Sequence, residues 1–201
     1  VASSGATKKT SIIKTNKGDA TKIIGIGDSI TAARISWIDH LGGKKYARGD
    51  WSSTRIRNQI FDKYIITKNG KVLKKPKYLV IFAGINNHSN PDQVIADLKN
   101  MSERAQAAGI AVKLVKLFPS ASWWSKSKSW RAVKDSLAKV KRINDWIGEE
   151  SWTAAAGSGA IETSSMSDKV GKLIDSRDGL HPNSAGQKKL AALIKKSGIT
   201  S

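Results

Sequence analysis

Cysteine is absent from the 201 residues, which excludes disulfides and thiolate metal sites while fitting either redox compartment. Acidic residues are scarce: 16 Asp and Glu stand against 35 Lys and Arg, for a formal net charge of +19. That excess goes far beyond what solubility requires. It makes the surface attractive to polyanions such as nucleic acid, teichoic acid, acidic polysaccharide or anionic membrane. A solvated basic face with no single partner accounts for it equally well. No apolar run is long enough to span a bilayer, and residues 1–9 carry no apolar segment of the signal-peptide kind. Beginning at Val1 rather than Met, the chain reads as a processed product or an excised domain, extracytoplasmic or part of a larger protein. No His/Asp/Glu spacing matches a metal motif, so neither a metal nor a cofactor is expected.

What is present reads as one domain with a sizeable core, preceded by a flexible basic tail or linker over residues 1–20. Apolar runs at 22–27, 78–82 and 110–118 predict buried strands. Helices are expected over 30–41, 54–61, from about 91 to 107, 129–147 and 184–196. Residues 42–45 read as a turn, 46–48 as a short strand, and 64–73 as a hairpin around Asn69-Gly70. The Ala/Gly/Ser segment 153–159 reads as a loop, and the return through Ile161 is indistinct. Strands alternating with helices argue for a parallel sheet covered on both faces. The expected fold class is therefore α/β, a flavodoxin-like three-layer α/β/α sandwich with a mostly parallel central sheet.

Two strings about 150 positions apart carry the chemistry. Gly27-Asp28-Ser29-Ile30-Thr31 follows the first strand, so Ser29 falls at a strand's C-terminal edge, where open α/β sheets place their ligands. Asp178-Gly179-Leu180-His181-Pro182-Asn183 supplies an acid and an imidazole three residues apart. Together they hold the parts of a nucleophile–base–orienter system. Each string alone also reads as a polar turn with a helix cap or a proline stop. Asn86, in Gly84-Ile85-Asn86-Asn87, is delivered to the same sheet edge by the strand at 78–82.

On these residues the chain resembles the SGNH hydrolases of the GDSL esterase family, from about Lys22 to the C-terminus. Ser29 matches the first of that family's four blocks, and Gly49, in Arg48-Gly49-Asp50-Trp51, matches the second more loosely. Asn86 matches the third, and Asp178 with His181 the fourth. Position 87 is Asn where the family usually has Asp. The resemblance implies a catalytic domain over 21–201 with Ser29 as nucleophile, His181 as base and Asp178 as its orienter. It assigns the oxyanion hole to the Ser29 and Gly49 backbone N–H groups and the Asn86 amide. The expected activity is hydrolysis of acyl esters, O-acetyl esters first, on a carbohydrate such as a cell-wall or capsular glycan that can itself be anionic. A lipase or thioesterase on longer acyl chains is the alternative, as is a polyanion-binding module that has kept an esterase fold.

Three aromatic or histidine features complete the candidates. His88 sits beside the third block, where it either lines the pocket or is a solvated loop residue. His40 reads as an ordinary residue at the polar end of a helix. Trp123 and Trp124, with Trp130 beyond, offer a flat surface for a sugar ring or acyl chain, and core packing explains them equally well.

Overall fold

The computed structural model describes residues 21–120, 125–126 and 129–199; the expected tail over 1–20 and the Trp123–Trp124 pair lie outside them. Five strands form one sheet: β1 (Ile23–Gly27), β2 (Lys44–Ala47), β3 (Tyr78–Phe82), β4 (Ala111–Val115) and β5 (Gly159–Ile161). Their order is β2-β1-β3-β4-β5, and every adjacent pair is parallel rather than mostly so. All residues of β1, β3 and β4 are buried, which is why these strands are written as unbroken apolar runs rather than alternating ones. The helices around the sheet are α1 (Ser29–Ala32), α2 (Trp37–His40), α3 (Ser53–Ile56), α4 (Pro91–Ala107), α5 (Trp130–Glu149) and α6 (Ser184–Lys196). α2 packs on α6, while α3 and α5 pack on α4.

β1 is an interior strand and crowded, and its two glycines answer that crowding. A Cβ on Gly25 would come within 2.7 Å of the Trp37 ring, and one on Gly27 within 2.4 Å of both the Phe82 carbonyl oxygen and Thr31 Oγ1. Only a residue without a side chain lets β1 turn directly into α1 against β3.

The single helix expected over 30–41 is two. The chain breaks at Ala33–Ser36 because the freed backbone groups find better partners. Ser36 and Asp39 form a capping box at the start of α2. Lys45 Nζ donates to the carbonyls of Ala33 and Arg34 at 2.8 and 3.2 Å. Buried Gln187 of α6 spans the break: its Oε1 accepts from Trp37 N at 2.8 Å and its Nε2 donates to Ile30 O at 3.2 Å. No local pattern predicts a break held from 150 residues away.

Other departures are smaller. The turn expected at 42–45 is shorter, because β2 already starts at Lys44. α3 continues as a π-helical stretch, Arg57–Ile65, which keeps Ile60, Phe61 and Ile65 all buried. Arg104 closes that stretch, donating to Asp62 and to the carbonyls of Ile66 and Thr67. The hairpin reduces to one antiparallel bridge, Ile66 with Val72. The strand read at 110–118 is shorter, and the indistinct return through Ile161 is β5, paired with β4.

Replacing Gln187 by Leu strands one buried N–H and one buried C=O. A loss of about 2–4 kcal/mol is expected, read as a lower urea midpoint at unchanged slope. A loss below about 0.5 kcal/mol would show that the amide does not hold the break.

Candidate functional site

Parallel strands bring their following loops to one edge of the sheet, and the candidate residues gather there. Asp28 caps α1, its Oδ1 accepting from Ile30 N at 3.1 Å, which makes Ser29 the first helical residue after the β1 turn. Ser29 Oγ lies 3.0 Å from His181 Nε2, and His181 Nδ1 lies 2.7 Å from Asp178 Oδ2.

The loop carrying Asp178 and His181 organises itself. Asp178 Oδ1 accepts from the backbone N–H groups of Leu180 and His181 at 2.9 and 2.8 Å. Ser176 Oγ accepts from Asp178 N and Gly179 N and donates to His181 O. Gly179 sits at φ +94°, a conformation that side chains disfavour. Pro182 is buried, and Asn183 then caps α6 through Gly186 N. Lys126 Nζ donates to the Asp178 carbonyl at 2.8 Å.

These bonds set the charge states. Partial burial raises the Asp178 pKa, but the backbone N–H and imidazole of His181, with the Leu180 N–H, outweigh it and hold the carboxyl down at about 2. An ionised Asp178 accepts, so the imidazole proton sits on Nδ1 and Nε2 faces Ser29 as an acceptor. Asp28 is the opposite case. Complete burial pushes its carboxyl up to about 7, against the Ile30 N–H and the His181 charge, which pull it down. Its Oδ2 is buried with no hydrogen-bond partner among the described residues.

Gly49 follows β2, tied to the first strand by Arg48 N donating to Gly27 O. A Cβ built on it would meet only that of Ser29, at 3.9 Å, so packing does not require the glycine; its missing side chain leaves space beside the hydroxyl. Asn86 donates from Nδ2 to the Trp51 carbonyl at 3.1 Å, which links the third block to the second. His88 is buried, and its Nδ1–H donates to Ile85 O at 2.7 Å, so it is not a solvated loop residue. His40 is exposed at the end of α2.

Asn87 explains its departure from the usual Asp. Its Oδ1 accepts from Ser53 N at 2.9 Å while its Nδ2 donates to Ser53 Oγ at 3.0 Å. That leaves the hydroxyl proton of Ser53 for Asp97 Oδ2, 2.7 Å away. Asp97 is fully buried on α4 and also receives Thr54 Oγ1, Gln93 Nε2 and the Arg57 guanidinium. The loops bearing Gly49 and Asn86 are therefore fastened to one carboxylate that the sequence reading passed over. Its signal was there: an acid on the apolar face of α4, between Val94, Leu98 and Met101. Ser53, Ser176 and Gln187 were missed as well, and their neutral polar side chains carry no comparable mark.

No family model matches the chain, and no curated protein matches it. Among solved structures it is similar to a GDSL-like lipase from Bacteroides thetaiotaomicron, at 23% identity over 88% of this chain and 87% of that one, with a TM-score of 0.68. It is similar to an acetylxylan esterase from Geobacillus stearothermophilus, crystallised as a catalytic mutant, at 15% identity over 90% and 95%, with a TM-score of 0.64. A carbohydrate esterase family 3 protein from Talaromyces cellulolyticus aligns at 19% identity over 88% and 95%, with a TM-score of 0.56. The likeness runs through most of each chain and shows that they share one α/β fold.

Two outcomes follow from the site's polar groups. The folded pKa of Asp28 lies above its unfolded value of about 4, so the folded state binds the proton more tightly and loses stability as pH rises towards 7. Asp28→Asn removes that titration, and its stability relative to the parent should climb between pH 5 and pH 8 in denaturant titrations. A pH-independent difference would show that Asp28 does not titrate in this window. Asn87→Asp sets a second carboxylate against Ser53, which has one proton for two acceptors. It should cost about 1–3 kcal/mol, partly recovered on adding Asp97→Asn; purely additive effects would deny the coupling.

Proposed function

We propose that this chain is an esterase of the SGNH/GDSL kind that removes acyl groups, O-acetyl in particular, from a carbohydrate. The observation that carries the reading is the continuous line from Ser29 Oγ through His181 to an Asp178 held ionised. A serine hydroxyl is a weak nucleophile, and such a line is what activates it.

In this mechanism Ser29 Oγ attacks the ester carbonyl carbon while its proton passes to His181 Nε2. Asp178 keeps the tautomer and stabilises the imidazolium. The oxyanion takes hydrogen bonds from the Ser29 and Gly49 backbone N–H groups and the Asn86 amide. Asn86 has two N–H bonds: one is held by Trp51, which orients the other. Removing one such donor costs about 10²–10³ in turnover. As the carbonyl re-forms, the ester C–O bond breaks and His181 gives its proton to the leaving alkoxide. Water then attacks the acyl-serine, losing a proton to His181, and Ser29 recovers its own as the acid departs.

The choice of a carbohydrate ester draws support from the fold relatives that are named as acetylxylan and carbohydrate esterases. Acetate release from acetylated glycans, run beside short- and long-chain nitrophenyl esters, tests this choice; faster hydrolysis of the long-chain esters would replace it with a lipase reading.

Ser29→Ala should lower kcat by about 10⁴-fold or more, and Asp178→Asn less severely, by about 10²–10⁴. A serine-directed phosphonate should label Ser29. The pH–rate profile should carry no limb from Asp178 above about pH 3, because that carboxyl is held at about 2. An alanine variant that kept most of the activity would remove Ser29 as nucleophile.

A further inference from the structure

The excess positive charge is unevenly placed. Carboxylates on and around α4, α5 and β5 are matched: Asp92 with Arg142, Glu103 with Lys99, Asp135 with Lys139, Asp145 with Lys141, and Glu162 with Lys116. By contrast, no Asp or Glu occurs between Asp62 and Asp92, a stretch holding six lysines, and none follows Asp178. The fold brings these acid-free stretches together.

Lys22 precedes β1 and Lys44 opens β2, one strand away. Lys74 and Lys75 lead into β3, and Lys22 O accepts from Tyr78 N at the start of that strand. Lys75 Nζ approaches the Gly109 turn before β4. From α6, Lys195 borders a cleft of about 110 Å³ with Ile23, His40, Leu41 and Ile199, and Lys196 follows it. All of these converge on the N-terminal edge of β2, β1 and β3. Asp39, the acid nearest this group on α2, is taken by Lys45 at 2.7 Å. Glu150 lies towards β5, where its Oε1 accepts from Ala160 N, and Lys113, whose Nζ donates to Ser197 O, stands between it and the end of α6.

We propose that this edge is a docking surface for an acidic polysaccharide, built by Lys22, Lys44, Lys74, Lys75, Lys195 and Lys196. Ser29 lies at the opposite edge. Five-residue strands put about 17 Å between the two, against a Debye length of about 8 Å at physiological salt. Charge here holds a polymer without acting on the ester in the site. The cations are lysines, compact point charges rather than the planar forks that grip phosphate in pairs. Ring faces at this edge are engaged: Lys77 lies over Tyr78, and Tyr46 is stacked on Tyr64 beneath Lys44. Base stacking, which single-stranded nucleic acid binding relies on, has little to use. The choice of a polysaccharide rests on the proposed glycan esterase; the location of the surface does not.

The test compares a variant with Lys22, Lys44, Lys75 and Lys195 changed to Gln against one with Lys99, Lys134, Lys169 and Lys188 changed to Gln, equal in charge removed. A Lys→Arg set at the first four positions controls for folding. Affinity for polygalacturonate is measured by calorimetry at 50 and 150 mM salt. The edge variant should lose at least about ten-fold, with a shallower salt dependence; the control should lose under about three-fold and the arginine set should bind like the parent. kcat/KM for a small neutral acetyl ester should stay within about two-fold throughout. Equal weakening by both glutamine sets would overturn the proposal, as would parental binding of DNA about ten-fold tighter than of polygalacturonate. Parallel loss of small-ester hydrolysis in the edge variant would overturn it too. If the parent hydrolyses no ester at all, the esterase reading falls, while the binding comparison still decides the surface.

Discussion

The close approach of β1 to β3 at Gly27 is the constraint on which the candidate site depends. With the Phe82 carbonyl and Thr31 Oγ1 both 2.4 Å from where a Cβ would stand, the strand can end and the helix begin only at a glycine. That turn places Ser29 at the sheet edge and buries Asp28 beneath it. The cap then costs something, because an acid with one oxygen bonded and the other without a partner among the described residues sits where a carboxylate is poorly solvated. Position is won at the expense of an awkward charge, a bargain that functional sites often show.

The two halves of the site are held by different kinds of structure. Asp178 and His181 belong to a loop whose bonds close on themselves within a few residues, so the geometry of acid and base is local. The loops of Gly49 and Asn86 come from separate strands, and their alignment runs through Asn87 and Ser53 to Asp97. A buried carboxylate with four donors is costly to disturb, which makes it a stiff anchor. Under the proposed mechanism, stiffness there matters, since oxyanion donors act by already being in place.

Charge divides the molecule in a similar way. Around α4 and α5, acids and bases pair across and along the helices and contribute little field beyond the surface. Among the described residues, Lys22, Lys44, Lys74, Lys75, Lys195 and Lys196 of the β2-β1-β3 edge form no ion pair, so their potentials add. The candidate site and the basic edge thus lie at opposite ends of the same strands.

The sequence by itself determined the elements whose cause is local. Buried strands were legible as apolar runs, and the four blocks as short strings; Asp178 and His181 meet because only two residues, Gly179 and Leu180, separate them and the loop closes on Asp178 Oδ1. The helix starts expected at about 91, 129 and 184 fall within a residue of those observed, where Asn90, Ser129 and Asn183 each cap the helix that follows. What only the tertiary structure decided has its cause elsewhere in the chain. The break after α1 depends on Gln187, and the role of Asn87 on Ser53 and Asp97. A polar side chain reveals its partner only when folding supplies one, because a hydrogen bond across 30 to 150 residues leaves no period or composition to read.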